Sequence, residues 1–277
     1  QLLKTHSVVI RSRQSDMSMS GVKFIKTLDE LDVNEYFDVA INLAGEPIAD
    51  KRWSKQQKQR ILESRLNITE EFIAFFKRVK HKPKLFISGS AIGVYGVASS
   101  DQPVDESGLG DESFSSILCQ SWEEKAKSAE LLNIRTCILR TGIVISKQGG
   151  ALKKMLLPFK LGLGGKIGEG SQWMSWVHIE DMVGIILTCI SNEALQGVIN
   201  CTAPSPVTNS EFTKILGAEL KRPVICSAPA FVIKLLLGQM GDELLLNGKK
   251  IVPKKLEEIG YVFRYTQLAD ALKGEFL

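Results

Sequence analysis

The chain has 277 residues, 44% of them hydrophobic and 24% charged, with a net charge of +4. That is an ordinary globular composition, and the length is ample for one large domain or two smaller ones. The positive charge is spread along the chain. Its densest run (Lys249, Lys250, Lys254, Lys255) has no interleaved aromatics, so no nucleic-acid partner is expected. No apolar run approaches the roughly 20 residues needed to span a bilayer, and no membrane partner is expected. The five cysteines and three histidines are scattered, without a CxxC pair or metal-ligand spacing. Neither a disulfide framework nor a metal site is expected, which fits a reducing, cytoplasmic location.

In chain order, residues 1–5 read as the end of a helix and 7–11 (SVVIR) as a short buried strand. A polar loop covers 12–21, and a second short strand covers 22–25. Residues 38–43 (DVAINL) form a strand that runs into Ala44 and Gly45. A long helix is expected over 53–78, with apolar residues at Ile61, Leu62, Leu66, Ile68, Phe72, Ile73 and Phe76. Residues 84–88 (KLFIS) form a strand ending in Gly89 and Ser90. The stretch 115–132 is helical, and 135–139 is a strand ended by Arg140, Thr141 and Gly142. The strand runs are continuously apolar rather than alternating, as in parallel strands covered on both faces. The pattern predicts an α/β fold: a Rossmann-like doubly wound parallel sheet, with ligands at the carboxyl ends of the strands.

The texture changes near residue 146. Residues 162–170 are glycine-rich and read as a flexible loop at a substrate mouth. Residues 181–190 look helical, 198–201 look like a strand, and 210–220 look helical with Ser210 as N-cap. The expected division is a cofactor-binding domain over 1–145 and a smaller C-terminal α/β substrate lobe over 146–277.

A dinucleotide-binding sheet opens with a strand, a GxGxxG-like turn and a helix. This sequence opens with a helix end and then a strand. The first strand and glycine-rich loop, roughly 20 residues, are therefore expected upstream, and a fold that never had them is the alternative. The end of the next strand selects the cofactor. It reads Arg11, Ser12, Arg13, with no carboxylate until Asp16. Guanidinium groups and a hydroxyl suit a 2′-phosphate, which favours NADP(H) over NAD(H). The small residues after the third strand let backbone approach a ligand, so Leu43 and Ala44 are candidate cofactor contacts. Arg65 and Thr69 share a helix face that can turn toward the cofactor. Arg60 is a second candidate, with a solvated basic face as the equal alternative.

Several runs resemble the extended short-chain dehydrogenases/reductases. ISGSAIGVYG over 87–96 resembles their strand-end SSSAxVYG, WVHIED over 176–181 resembles FVHVDD, and RTGIV over 140–144 resembles RxxNVYG. NLAGEPIADKRW over 42–53 and LPFKLGLGGKIGEG over 157–170 narrow the resemblance to an atypical subfamily named for nucleoside-diphosphate-sugar epimerases. The likeness covers essentially the whole chain. It implies an NADP(H)-dependent oxidoreductase or epimerase acting by hydride transfer on a nucleotide sugar or another small hydroxyl or carbonyl compound. A homodimer through the two long helices is a further implication.

The resemblance also implies a serine and a Tyr-x-x-x-Lys pair. Ser90 matches the serine, which would hold the reacting oxygen. None of the four tyrosines (Tyr36, Tyr95, Tyr261, Tyr265) has lysine four residues later. If Glu123 matches the glutamate that follows that lysine, Ser115 and Cys119 stand where tyrosine and lysine belong. Tyr95 is the proposed substitute acid/base, and packing beside the cofactor is its alternative. Cys119 has nothing nearby in sequence to depress its pKa. Ile145 is expected against the nicotinamide side. His178 is expected to be structural and Asp181 to cap a helix. Trp173 and Trp176 either flank the substrate mouth or pack in the core. The lost pair also favours a second reading: a catalytically reduced NADP(H)-binding protein that senses redox state or binds a partner.

Overall fold

The computed structural model describes residues 1–12, 14, 17–98 and 101–276. The first part of the chain gives β1 (Val8–Arg11), β2 (Val22–Ile25), β3 (Val39–Asn42), α1 (Lys55–Arg78), β4 (Leu85–Ala91), α2 (Phe114–Lys127) and β5 (Arg135–Thr141). There follow β6 (Ile143–Ile145), α3 (Gly150–Lys160), β7 (Gly165–Ile167), β8 (Trp173–Met174), β9 (Trp176–His178) and α4 (Ile179–Ser191). The chain continues through β10 (Gly197–Cys201), β11 (Val207–Thr208), α5 (Asn209–Glu219) and β12 (Cys226–Ala228). It ends with α6 (Ala230–Leu237), α7 (Gln239–Gly241), α8 (Lys254–Glu258) and α9 (Leu268–Phe276).

The fold is α/β with parallel sheets. The central sheet is parallel in the order β10-β5-β4-β3, and β1 and β2 form a separate parallel pair. Its strands are apolar on both faces because both faces are covered. Phe86 and Ile138 point into a core with Ile73 and Phe76 of α1 and Ala126 of α2. Their neighbours Ile87, Cys137 and Leu139 point the other way, into a core with Ile185 and Cys189 of α4. Alternate residues thus serve opposite helical layers, the doubly wound arrangement that the continuous apolar runs predict. The β1–β2 pair joins the first of these cores through Ile25 and Val9.

Helix ends follow local chemistry. The Ser54 hydroxyl accepts from Gln57 N and starts α1, and Ser113 accepts from Ser116 N and starts α2. Three expectations are corrected. The cap of α5 is Thr208 rather than Ser210, because Thr208 and Glu211 form a reciprocal capping box. The glycine-rich stretch 162–170 is not wholly loop, since β7 lies in it and pairs with β12. Asp181 does not cap α4. Its carboxylate accepts from Arg264 N at 2.7 Å and Tyr265 N at 3.0 Å, docking the C-terminal segment.

His178 is the cap of α4. Its Nδ1 accepts from Glu180 N at 3.2 Å, and its Nε2 lies 3.1 Å from the buried Glu275 carboxylate on α9. These roles are structural. The chain also re-enters the central sheet after residue 146, where β10 pairs in register with β5 from Gly197↔Cys137 to Cys201↔Thr141.

Candidate active site

The carboxyl ends of β3, β4 and β5 lie side by side, and two polar constellations form there. The first supports the loop after β3. Asn42 Oδ1 accepts from Ala44 N at 3.2 Å, which turns the chain. Asn42 Nδ2 and Trp122 Nε1 both donate to Thr69 Oγ1, at 3.0 and 3.1 Å. This buried trio ties β3 to α1 and α2, and Leu43 and Ala44 stand exposed above it.

Arg65 underlies that loop. Its Nη1 donates to Glu46 O at 3.1 Å and Ile61 O at 3.0 Å, and its guanidinium lies 5.2 Å from the Trp122 ring centre. A Cβ at Gly45 would sit 2.9 Å from Arg65 Cζ, so glycine lets the loop lie flat on the guanidinium without displacing it. Burial lowers the Arg65 pKa from its ordinary value. Among the described residues no carboxylate pairs with Arg65, and its Nε and Nη2 have no protein acceptor. A partly buried cation with donors to spare, beside backbone that approaches closely, fits an anionic or hydroxyl-rich ligand. Arg60 is not brought there. Five residues on a helix amount to about 140° of rotation, and Arg60 stands exposed.

At the end of β1, Ser12 N donates to Ile25 O at 2.9 Å, and the Ser12 hydroxyl accepts from Gln14 N at 3.1 Å. Arg11 is engaged elsewhere, 3.0 Å from Glu71 on α1. The cation expected for a 2′-phosphate is therefore Arg13, which lies outside the described residues.

The second constellation holds both expected catalytic residues. Ser90 Oγ donates to Glu123 Oε1 at 2.7 Å. Arg140 grips both oxygens of Glu123, from Nε and Nη2, each at 2.8 Å. Arg140 Nη1 also donates to the Tyr95 hydroxyl at 2.9 Å, which in turn donates to Asn200 Oδ1 at 2.6 Å. Asn200 Nδ2 donates to Val252 O, and Asn200 N donates to the Glu106 carboxylate. All five side chains from Ser90 to Asn200 are buried. Burial opposes the charge on Arg140, but the Glu123 carboxylate more than offsets it and raises the guanidinium pKa.

This geometry corrects the expectation for Tyr95. Its side chain is 0% exposed and its hydroxyl is bonded on both sides. Burial pushes its pKa up to about 12, against the pull of Arg140. A proton held that firmly suits a strut rather than a working acid/base. Cys119 is also unsuited as a nucleophile, since burial, with Glu123 nearby, raises its thiol to about 11. Ser115, where the resemblance expects tyrosine, is hydrogen-bonded by Glu243. That carboxylate accepts from Ser115 N at 2.9 Å, Ser115 Oγ at 2.7 Å and Phe114 N at 3.1 Å. The expectation for Ile145 is corrected too. It is fully buried with Leu152, Trp176 and Phe212, and its side chain offers no face to a ligand. Trp176 is likewise a core residue, whereas Trp173 is half-buried, bonded to Asp101 and covered by Lys250.

Tyr95 also predicts an alkaline dependence of stability. An unfolded phenol ionises near pH 10, whereas this one keeps its proton to about 12. Between those values only the unfolded chain releases the proton, so stability is full below pH 10 and falls as pH rises toward 12. The loss attributable to Tyr95 is about 2–3 kcal/mol. Urea midpoints of Tyr95→Phe should therefore fall less steeply from pH 9 to 11 than those of the parent. Tyr261, also raised to about 12 by burial, keeps some slope in the variant. Identical slopes would contradict the account.

Comparison with known proteins bears on the same residues. Residues 2–201 match the NAD dependent epimerase/dehydratase family. The chain belongs to that family. Residues 228–274, which include Glu243, match a domain of unknown function (DUF1731). The epimerase family protein YfhF of Bacillus subtilis is 36% identical over 272 residues, covering 96% of this chain and 89% of that protein. A chloroplastic SDR39U1 homolog of Arabidopsis thaliana is 36% identical over 236 residues, covering 84% of this chain and 67% of that protein. The crystal structure of human epimerase family protein SDR39U1 (isoform 2) with NADPH superposes with a TM-score of 0.89 at 33% identity. It covers 100% of this chain and 94% of the human one.

The trio Asn42, Thr69 and Trp122 and the pair Glu123 and Arg140 went unrecognised as units in the sequence. The sequence marks Arg140 only by its place at a strand end and as the first residue of the RTGIV run, and neither sign points to Glu123 as its partner.

Proposed function

We propose that this family member binds NADP(H) and moves hydride between that cofactor and a small hydroxyl or carbonyl compound, of which a nucleotide sugar is one form. The observation that carries the reading is Arg65: a cation without a carboxylate partner among the described residues, held against the glycine loop at the end of β3. A relative of similar fold that binds NADPH supports it. In this reading Ser12 and Arg13 take the 2′-phosphate, and Leu43, Ala44 and Arg65 contact the rest of the nucleotide. The bound nicotinamide supplies the hydride donor or acceptor. Residues 1–145, completed by α4 and β10, carry the cofactor, and the rest of 146–277 closes over the substrate.

Ser90, one residue from the end of β4, holds the reacting oxygen and orients it. Its own hydroxyl proton points at Glu123, so the proton that a substrate hydroxyl gives up as its hydride leaves passes to Ser90 while Ser90 passes its own to Glu123, and carbonyl reduction runs the same relay backward. Arg140 fixes Glu123 in place, and Tyr95 braces Arg140.

A specific observation favours the second reading, a catalytically reduced NADP(H)-binding protein. The tyrosine position is a serine bonded to Glu243, and Tyr95 is locked away. One experiment separates the two. The full chain is incubated with NADPH and a panel of carbonyl compounds and nucleotide sugars while nicotinamide absorbance is followed. Turnover that Ser90→Ala lowers by about 10²-fold or more, with NADPH binding retained, supports the enzyme. Tight NADPH binding with no turnover on any compound supports the second reading.

A further inference from the structure

Cations are spread along the chain, but acidic residues are missing from two of its segments. Residues 150–168 and 220–241 hold seven cations (Lys153, Lys154, Lys160, Lys166, Lys221, Arg222, Lys234) and no Asp or Glu. Since the whole chain carries only +4, the rest of it is net acidic. The fold brings these two segments together, because β7 and β12 pair in parallel from Gly165↔Cys226 to Ile167↔Ala228. Of the seven cations, Lys154 pairs with Asp50 and Lys234 with Asp242. Among the described residues the other five have no ion pair.

Large aliphatic side chains stand out from the same tip. Leu157 near the end of α3 is 67% exposed, Leu161 65%, Leu163 64% and Ile225 85%. Leu161 N and Leu163 N bond back to α3, at Leu157 O and Pro158 O, which holds the turn in place. Ile225 immediately precedes β12, beside the chain that enters β7. Exposure this high means that the side chains project into solvent rather than line a groove. Isolated exposed leucines are unremarkable, but four on one tip among unpaired cations form a patch that calls for a partner.

We propose that this tip docks on an anionic membrane surface. Projecting aliphatics enter the interfacial region of a bilayer, while the lysine and arginine heads remain among the anionic headgroups. Projecting side chains among unpaired cations argue against a protein partner, which would need an acidic hollow to receive them. Charge argues against a second copy joined through the same face, because a two-fold contact would set cations against cations. No helix of the described residues is long and apolar enough to cross a membrane, and the attachment proposed is peripheral. It is independent of whether the strand-end site is catalytic.

The test is co-sedimentation of the full chain with vesicles of phosphatidylcholine alone and of phosphatidylcholine with phosphatidylglycerol. Binding is expected only to the second kind and should weaken as salt screens the headgroups. Leu157→Ser with Ile225→Ser, and separately Lys221→Gln with Arg222→Gln, should each lower the vesicle-bound fraction about tenfold or more. Thermal melting and NADPH binding of both variants should stay at parent values, showing that they fold. No binding to either vesicle, or binding untouched by both double variants, overturns the proposal. A parent dimer in light scattering that Leu157→Ser with Ile225→Ser dissociates also overturns it, by assigning the face to a second copy.

Discussion

Arg140→Met should destabilise the fold by about 3–5 kcal/mol, read as a lowered urea midpoint. The mutation removes four hydrogen bonds from a buried guanidinium: two to Glu123, one to Tyr95 and one to Glu106 O. What remains matters more than what is lost. Among the described residues, Glu123 would keep a negative charge in the interior with only the Ser90 hydroxyl to satisfy it. A buried charge without its partner is among the most costly changes a protein can suffer. Against a typical total of about 5–15 kcal/mol, the loss is large enough to unfold a marginal domain.

Removing both charges, as Glu123→Met with Arg140→Met, should recover part of that loss, because the orphan charge is gone. A single mutant within about 1 kcal/mol of the parent would mean that the pair is wet or broken in solution.

Arg65→Met should act differently. Methionine keeps an apolar stem against Trp122 while removing the charge and the donors beneath the glycine loop. The Arg65 side chain gives the fold bonds from Nη1 to carbonyls at Glu46 and Ile61, a long one to the Ser64 hydroxyl and its packing on Trp122, so the change in stability should be about 1 kcal/mol. Nucleotide affinity should fall by about 10–100-fold, the worth of one or two charge-assisted hydrogen bonds. Fluorescence titration reads this directly, since Trp122 lies against the guanidinium. Unchanged affinity with a lowered melting point would reduce Arg65 to a structural prop.

The two residues show what a sequence discloses. Arg65 was legible because helix phase is local: with Thr69 four residues on, it shares a face that must meet the sheet, and Thr69 Oγ1 indeed donates to Arg65 O. The same phase argument separates Arg60 from that face. The sheet was legible for a related reason, since uninterrupted runs such as LFI and CIL leave no polar face for solvent.

The polar network was not legible. Its bonds join Ser90 to Glu123, Tyr95 to Asn200 and Ser115 to Glu243, across separations of 33, 105 and 128 residues. Periodicity says which face of an element is buried. It does not say which polar group from a distant element will meet it there. The place of Tyr95 near a strand end suggests chemistry, while its partner on β10 decides its role. Ile145 failed for the opposite reason: strand-end position suggested a ligand contact, but an apolar side chain in a short strand over α3 went to the core.

The central claim is that the end of β1 and the loop over Arg65 form a grip for a 2′-phosphorylated nicotinamide dinucleotide. Calorimetric titration of the full chain with NADPH and with NADH, side by side at one salt concentration, tests it most directly. The expected result is tighter binding of NADPH by about tenfold or more, a gap that Arg13→Ala closes. Equal affinity for the two, or no binding of either, would contradict it.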